Sequence, residues 1–143
     1  MSGLISLTYR SHAEVQEFSV HSLDILREAL ARNARDGLTG FLHRDGPWFF
    51  QTLEGEPDKV HRLVDGLKRD WRHSWLKVLV TTELEQRRFD DWAMAYSTTA
   101  DVSMMGYFGV SEHIALSLLT DDQARDFLEF AGRMKAAALG GAA

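Results

Sequence analysis

Leu38-Thr39-Gly40-Phe41-Leu42-His43-Arg44-Asp45-Gly46-Pro47-Trp48-Phe49-Phe50-Gln51-Thr52-Leu53 holds two apolar runs that meet at a turn. Residues 38–44 and 48–53 read as strands, and Asp45-Gly46-Pro47 between them is a hairpin signal. Side chains alternate faces along a strand, so Phe49, Gln51 and Leu53 share one side. An unpaired buried amide costs about 1–3 kcal/mol, so Gln51 needs polar partners among its apolar neighbours. The first apolar run of the chain puts Ile5, Leu7 and Tyr9 on one face, and a late run does the same with Trp92, Met94 and Tyr96. Tyr9, Gln51 and Met94 on one side of a single sheet suggest a bound molecule rather than a plain core.

The pattern continues outward from the hairpin. Residues 4–10 predict a strand. Residues 19–34 predict a helix, with Leu23, Leu26 and Leu30 at helical spacing and Ile25 and Ala29 widening the stripe. Asp36-Gly37 ends it. Glu56-Pro57 opens a second helix, on which Val60, Leu63, Val64 and Leu67 keep i, i+3, i+4, i+7 spacing. Residues 75–82 and 92–97 predict a fourth and a fifth strand. Thr120 to Gln123 resembles a capping box, followed by a stripe of Ala124, Phe127, Leu128, Ala131 and Met134. The order predicts an α+β, ferredoxin-like βαββαββ sandwich with both early helices on one face. Phe41, Trp48 and Phe50 would form an apolar patch on the other face, and the C-terminal stripe is the expected cover. The expected division is a sheet-and-helix domain over 1–97 and a helical cap over 98–143.

Composition narrows the function. The chain has 143 residues, 45% of them hydrophobic, which suits one domain with a proper core. A formal net charge of -5, without a Lys/Arg cluster, argues against a nucleic-acid partner. The absence of cysteine removes disulfides, thiolate catalysis and thioether attachment of a cofactor. The N-terminus lacks the blocks of a signal peptide, and no apolar run approaches a membrane span, so a cytoplasmic protein is expected. The six histidines are scattered without ligand spacing, and no metal site is expected. There is no dinucleotide or Walker glycine loop, no nucleophile elbow and no H-E-x-x-H.

Taken singly, the polar residues have plain structural readings. Tyr9 reads as a core tyrosine, Asn33 as a helix C-cap and Gln51 as an internally satisfied amide. Trp92 and Met94 read as packing, and Arg72-His73 as complements to a helix end. A ferredoxin-like module binding some other small molecule, and a small hydrolase or isomerase using Tyr9 with a histidine, both fit such a sheet. No nucleophile–base pair supports the enzyme.

Together, however, several segments resemble the BLUF family of flavin-using blue-light sensors. They are Leu7-Thr8-Tyr9-Arg10-Ser11, Arg32-Asn33, Asp36-Gly37-Leu38-Thr39-Gly40, Phe50-Gln51-Thr52-Leu53-Glu54-Gly55, Asp70-Trp71-Arg72-His73 and Arg88-Phe89-Asp90-Asp91-Trp92-Ala93-Met94. Their order and spacing over Leu4 to Tyr96 are specific where each alone is weak. The resemblance implies a photoreceptor, not an enzyme, holding FAD noncovalently between the two helices, with FMN or riboflavin as substitutes. It implies that Tyr9 is the photoactive tyrosine, Gln51 the switching glutamine, and Trp92 and Met94 the strand-five pair that passes the signal on. Ile25 and Leu67 would sandwich the flavin ring and Asn33 would bond its edge. Arg32 stands where relatives often have histidine or asparagine. Asp70, Arg72 and His73 would lie near the ribityl and phosphate end. Ala93 departs from the serine usual between the tryptophan and the methionine. Residues 97–143 could supply helices but not an enzyme, so the signal is expected to reach a separate downstream protein, from a homo-oligomer that is at least a dimer.

Overall fold

The computed structural model describes residues 3–16, 19–89, 95–98, 107 and 120–138, with side-chain surroundings left undescribed at 22, 23, 26, 95–98 and 135–138. The element order is β1 (Leu4–Ala13), α1 (Val20–Asp36), β2 (Thr39–Asp45), β3 (Trp48–Gly55), α2 (Pro57–Leu67), β4 (His73–Leu84), β5 (Ala95–Thr98) and α3 (Asp121–Ala138). The strands lie in one sheet in the order β4-β1-β3-β2-β5. Each neighbouring pair among β4, β1, β3 and β2 is antiparallel, and β5 joins β2 in parallel. This is the α+β, ferredoxin-like arrangement predicted from the sequence, with a short fifth strand at the edge.

Local chemistry explains the boundaries. Gly37 has φ +69°, and the Leu38 N–H donates to the Asn33 carbonyl at 2.8 Å, which terminates α1 in a left-handed turn. Gly46 has φ +58° and turns the β2–β3 hairpin. Pro57 opens α2 where no intrahelical N–H is needed. Thr120 and Gln123 form the capping box of α3: each backbone N–H donates to the other's side-chain oxygen, at 2.9 and 3.1 Å. β1 runs three residues past the predicted end because Ser11 and His12 still pair with β3 and Ala13 with β4.

Two cores sit on the two faces of the sheet. Ile5, Leu7, Tyr9, Leu42, Phe49 and Leu53 pack beneath Ala29 of α1 and Val60, Leu63 and Val64 of α2. On the other face Phe41, Trp48 and Phe50 lie under Ala124, Phe127, Leu128 and Ala131, so α3 is the cover that the apolar patch required. Glu54, fully buried on this face, accepts from the Thr39 hydroxyl at 3.0 Å and from the Arg88 and Phe89 amides at 2.8 and 2.9 Å. That ties the chain after β4 to the hairpin, and Phe89 stacks on Phe41 with ring centroids 5.9 Å apart.

Two apolar stripes differ from the prediction. Met134 is 51% exposed, so the buried face of α3 stops at Ala131. Leu30 is 41% exposed, and the face that α1 turns to the sheet carries Ala29 and Asn33, with Ile25 packed at its margin. A helix that walls a cleft needs less apolar width than one buried along its whole face. Trp92, Ala93 and Met94 lie outside the described residues.

Candidate functional site

Antiparallel register sets Tyr9 of β1 directly opposite Gln51 of β3, on the face covered by α1 and α2. The Tyr9 hydroxyl donates to Gln51 Oε1, and both residues are 3% exposed. Burial pushes the Tyr9 phenol well above its ordinary pKa, with the positive charge of Arg32 opposing and Asp70 reinforcing the shift. The hydroxyl therefore stays protonated and stays a donor. Gln51 thus accepts from Tyr9 through its carbonyl oxygen, and its NH2 is the donor end of the same amide.

The pair lies at the base of a cleft between α1 and α2 that encloses about 430 Å3, part of it open to solvent. Ile25 and Ala29 of α1 line one wall, and Leu67 at the end of α2 faces them. Leu42 and Phe49 complete the sheet side. Arg44 caps Phe49, its guanidinium 4.9 Å from the ring centroid, and is held by the Val15 and Gly46 carbonyls at 2.6 and 2.9 Å.

Charged side chains close the mouth. Arg72 forks onto Asp70, at 2.7 Å from Nη2 to Oδ2 and 3.0 Å from Nε to Oδ1, and also pairs with Glu28 of α1. These bonds hold the Asp70 carboxyl below the usual carboxylate range and raise the Arg72 guanidinium further. His73 follows, its Nδ1 2.8 Å from the Ser11 hydroxyl and its ring edge-on to Phe49. Burial lowers the His73 pKa, which favours the neutral imidazole. Arg32 reaches the cleft from α1 with its pKa lowered, mainly by burial, and its buried Nε finds no hydrogen-bond partner among the described residues.

The fold thus brings together Tyr9, Ile25, Arg32, Gln51, Leu67, Asp70, Arg72 and His73 around one space. Asn33 is fully buried on α1, one turn past Ala29, and is not among the residues lining the cleft. Trp92 and Met94 cannot be placed, being outside the described residues. Glu28 was missed: as an acid on a helix surface it signals nothing until Arg72 is brought opposite it. Phe49 was legible from strand alternation, and Leu42 follows from the same rule. Among the described residues no three His, Asp or Glu side chains converge on a possible metal position. Nor is any described helix long and apolar enough to cross a membrane.

The donor set suits a flat ring with a polar edge. Aliphatic side chains line the walls, a glutamine amide lies at the base, and a buried guanidinium nitrogen has no hydrogen-bond acceptor among the described residues.

Comparison with known proteins agrees. The family described as "Sensors of blue-light using FAD" matches residues 4–95. The photoactivated adenylate cyclase subunit beta of Euglena gracilis is 32% identical over 96 residues, which is 66% of this chain and 11% of that protein. This chain therefore spans about a tenth of that relative. Among solved structures, "BlsA ground state" is 30% identical, with a TM-score of 0.77 over 90% of this chain and 87% of that one. "BlrB - a BLUF protein, dark state structure" is 29% identical, with a TM-score of 0.73 over 96% of this chain and 98% of that one.

Proposed function

The chain belongs to the BLUF family, the sensors of blue light using FAD, and on that premise we propose that it is a blue-light photoreceptor with FAD held noncovalently between α1 and α2. The observation that carries this reading is the buried Tyr9–Gln51 hydrogen bond at the base of a cleft walled by Ile25 and Leu67. The bound flavin would supply blue absorption and an excited state that accepts an electron. Everything else is the work of side chains. Ile25 and Leu67 offer apolar contact to the ring faces. Arg32 serves its polar edge, where its Nε gains the acceptor it lacks. Asp70, Arg72 and His73 close the far end.

Tyr9 is the electron donor. Its raised pKa reflects how poorly this site tolerates a phenolate, so the proton is expected to move with the electron rather than ahead of it. Gln51 receives that proton's hydrogen bond and carries both a donor and an acceptor on one amide. Rotation or tautomerisation of the amide reverses what it offers to Tyr9 and to the ring edge. A stronger donor at a ring carbonyl lowers the excitation energy and gives a small red shift.

The output is relayed rather than catalytic. Residues 1–97 form the sensory part, Trp92 and Met94 pass the signal on, and 98–143 form the output segment that carries it to a separate protein or to a dimer contact. Leu42 lines the cleft beside Gln51, while its neighbours Phe41 and His43 face α3, so β2 touches both the switch and the output helix. The bistable element is then the β2–β5 edge with α3.

Chromophore content tests the proposal. Purified protein is expected to be yellow and to release oxidised flavin on heat denaturation, FAD in preference to FMN or riboflavin. A colourless chain that takes up none of the three would sink the reading.

A further inference from the structure

The chain that follows β4 is tied on three sides. Arg87 reaches the end of α1, where its Nη2 donates to the Gly37 carbonyl at 2.7 Å. Its Nη1 donates to the Thr39 hydroxyl at 3.0 Å and to the Glu54 backbone carbonyl at 3.1 Å. The next two amides, of Arg88 and Phe89, donate to the buried Glu54 carboxylate at 2.8 and 2.9 Å. On the far side the Arg88 guanidinium pairs with Glu129 of α3. Phe89 is buried with the core beneath that helix, stacked on Phe41.

Gly132 shows how closely Phe89 meets α3. A Cβ added at Gly132 would lie 2.7 Å from Phe89 Cε1, well inside the about 3.5–4.0 Å of packed carbon atoms. Glycine weakens a helix interior relative to alanine, and here the close approach of the ring requires it. The ring is not free to swing aside. Its amide is held by Glu54, and its face lies against Phe41. These contacts lead from the helix that walls the cleft to the helix that covers the opposite face of the sheet.

From this we infer that Arg87, Glu54 and Phe89 form a strap joining the end of α1 to α3, with Phe89, seated in the notch at Gly132, as the positioning residue for the output helix. The strap rests on the photoreceptor reading only for its use in signalling: a shift of α1 around a bound chromophore reaches α3 through it, without passing through Trp92 or Met94. As a link between two helices it acts in darkness too, and such coupling is reciprocal.

Hydrogen exchange of the full chain in darkness tests the link. The hydrogen bonds of Arg87 go to Gly37, Thr39 and Glu54, none of them on α3. Arg87→Gln is nevertheless expected to speed exchange in α3 across residues 128–132. Gly132→Ala should act in the other direction and speed exchange of the Leu38 amide, which closes α1 on the Asn33 carbonyl. Amides of the β1–β3 ladder should keep their wild-type rates in both variants. The two substitutions cut one path, so the double variant should exchange no faster in α3 than the faster single one. In flavin-loaded protein each variant should keep the red shift while the light-minus-dark exchange difference across residues 121–138 shrinks. Unchanged α3 exchange in Arg87→Gln, or a rise shared equally by the β1–β3 ladder, overturns the strap. A light-minus-dark difference as large as that of wild type overturns its use in signalling. A wild type that binds no flavin fails the photoreceptor reading instead, and the dark exchange rates still decide the strap.

Discussion

Gln51→Ala is expected to keep its flavin and lose the light-induced red shift completely. In the proposed complex Ile25 and Leu67 and groups on α1 hold the ring, and none of these depends on Gln51. What the substitution removes is the one group at the base of the cleft able to exchange donor for acceptor. It also leaves the Tyr9 hydroxyl without the acceptor it has now, at a cost of about 1–3 kcal/mol. Tyr9→Phe should give the same spectral loss for a different reason. The amide remains, but the donor of electron and proton is gone, while a phenyl ring fills the same volume. Absorption spectra before and after blue illumination decide both cases, and a normal shift in either variant would refute the assigned hydrogen-bond chain.

Phe127→Ala carries the largest expected effect on stability, a loss of about 3–5 kcal/mol. Phe127 is fully buried at the centre of the second core, edge-on to His43 with centroids 4.9 Å apart. Its removal opens a cavity between α3 and the sheet, which the neighbouring Phe41 and Phe50 can fill only in part. Urea denaturation measures the loss. If α3 belongs to the output, hydrogen exchange across residues 121–138 should differ between dark and light in the wild type. Identical protection in both states would show that the signal leaves by another route.

Much of the fold was legible because the cues were local. The hairpin, the glycine after α1, the proline at the start of α2 and the capping box of α3 each act within a few residues. The period-two pattern then fixed which side chains share a face, and so placed Tyr9 and Gln51 on one side before their strands were known to be neighbours. Direct opposition of the two is a matter of register between β1 and β3, which no single strand encodes. What could not be read depends on long-range approach. Glu28 and Arg72 are 44 residues apart and meet only once α1 packs beside the start of β4. Glu54 reads as a strand-end acid until Arg88 and Phe89 return to it. The exposed Leu30 and Met134 misled for the opposite reason: helical spacing extends a stripe regardless of where the neighbouring surface ends.

The most direct test of the switch is the light-minus-dark infrared difference spectrum of the flavin-loaded wild type, read at the flavin C4=O stretch. The expected result is a shift of that stretch to lower frequency in the light and its return in darkness, because Gln51 comes to donate a stronger hydrogen bond to the ring edge. An unshifted carbonyl stretch, in a protein that has bound flavin and absorbed blue light, would contradict it.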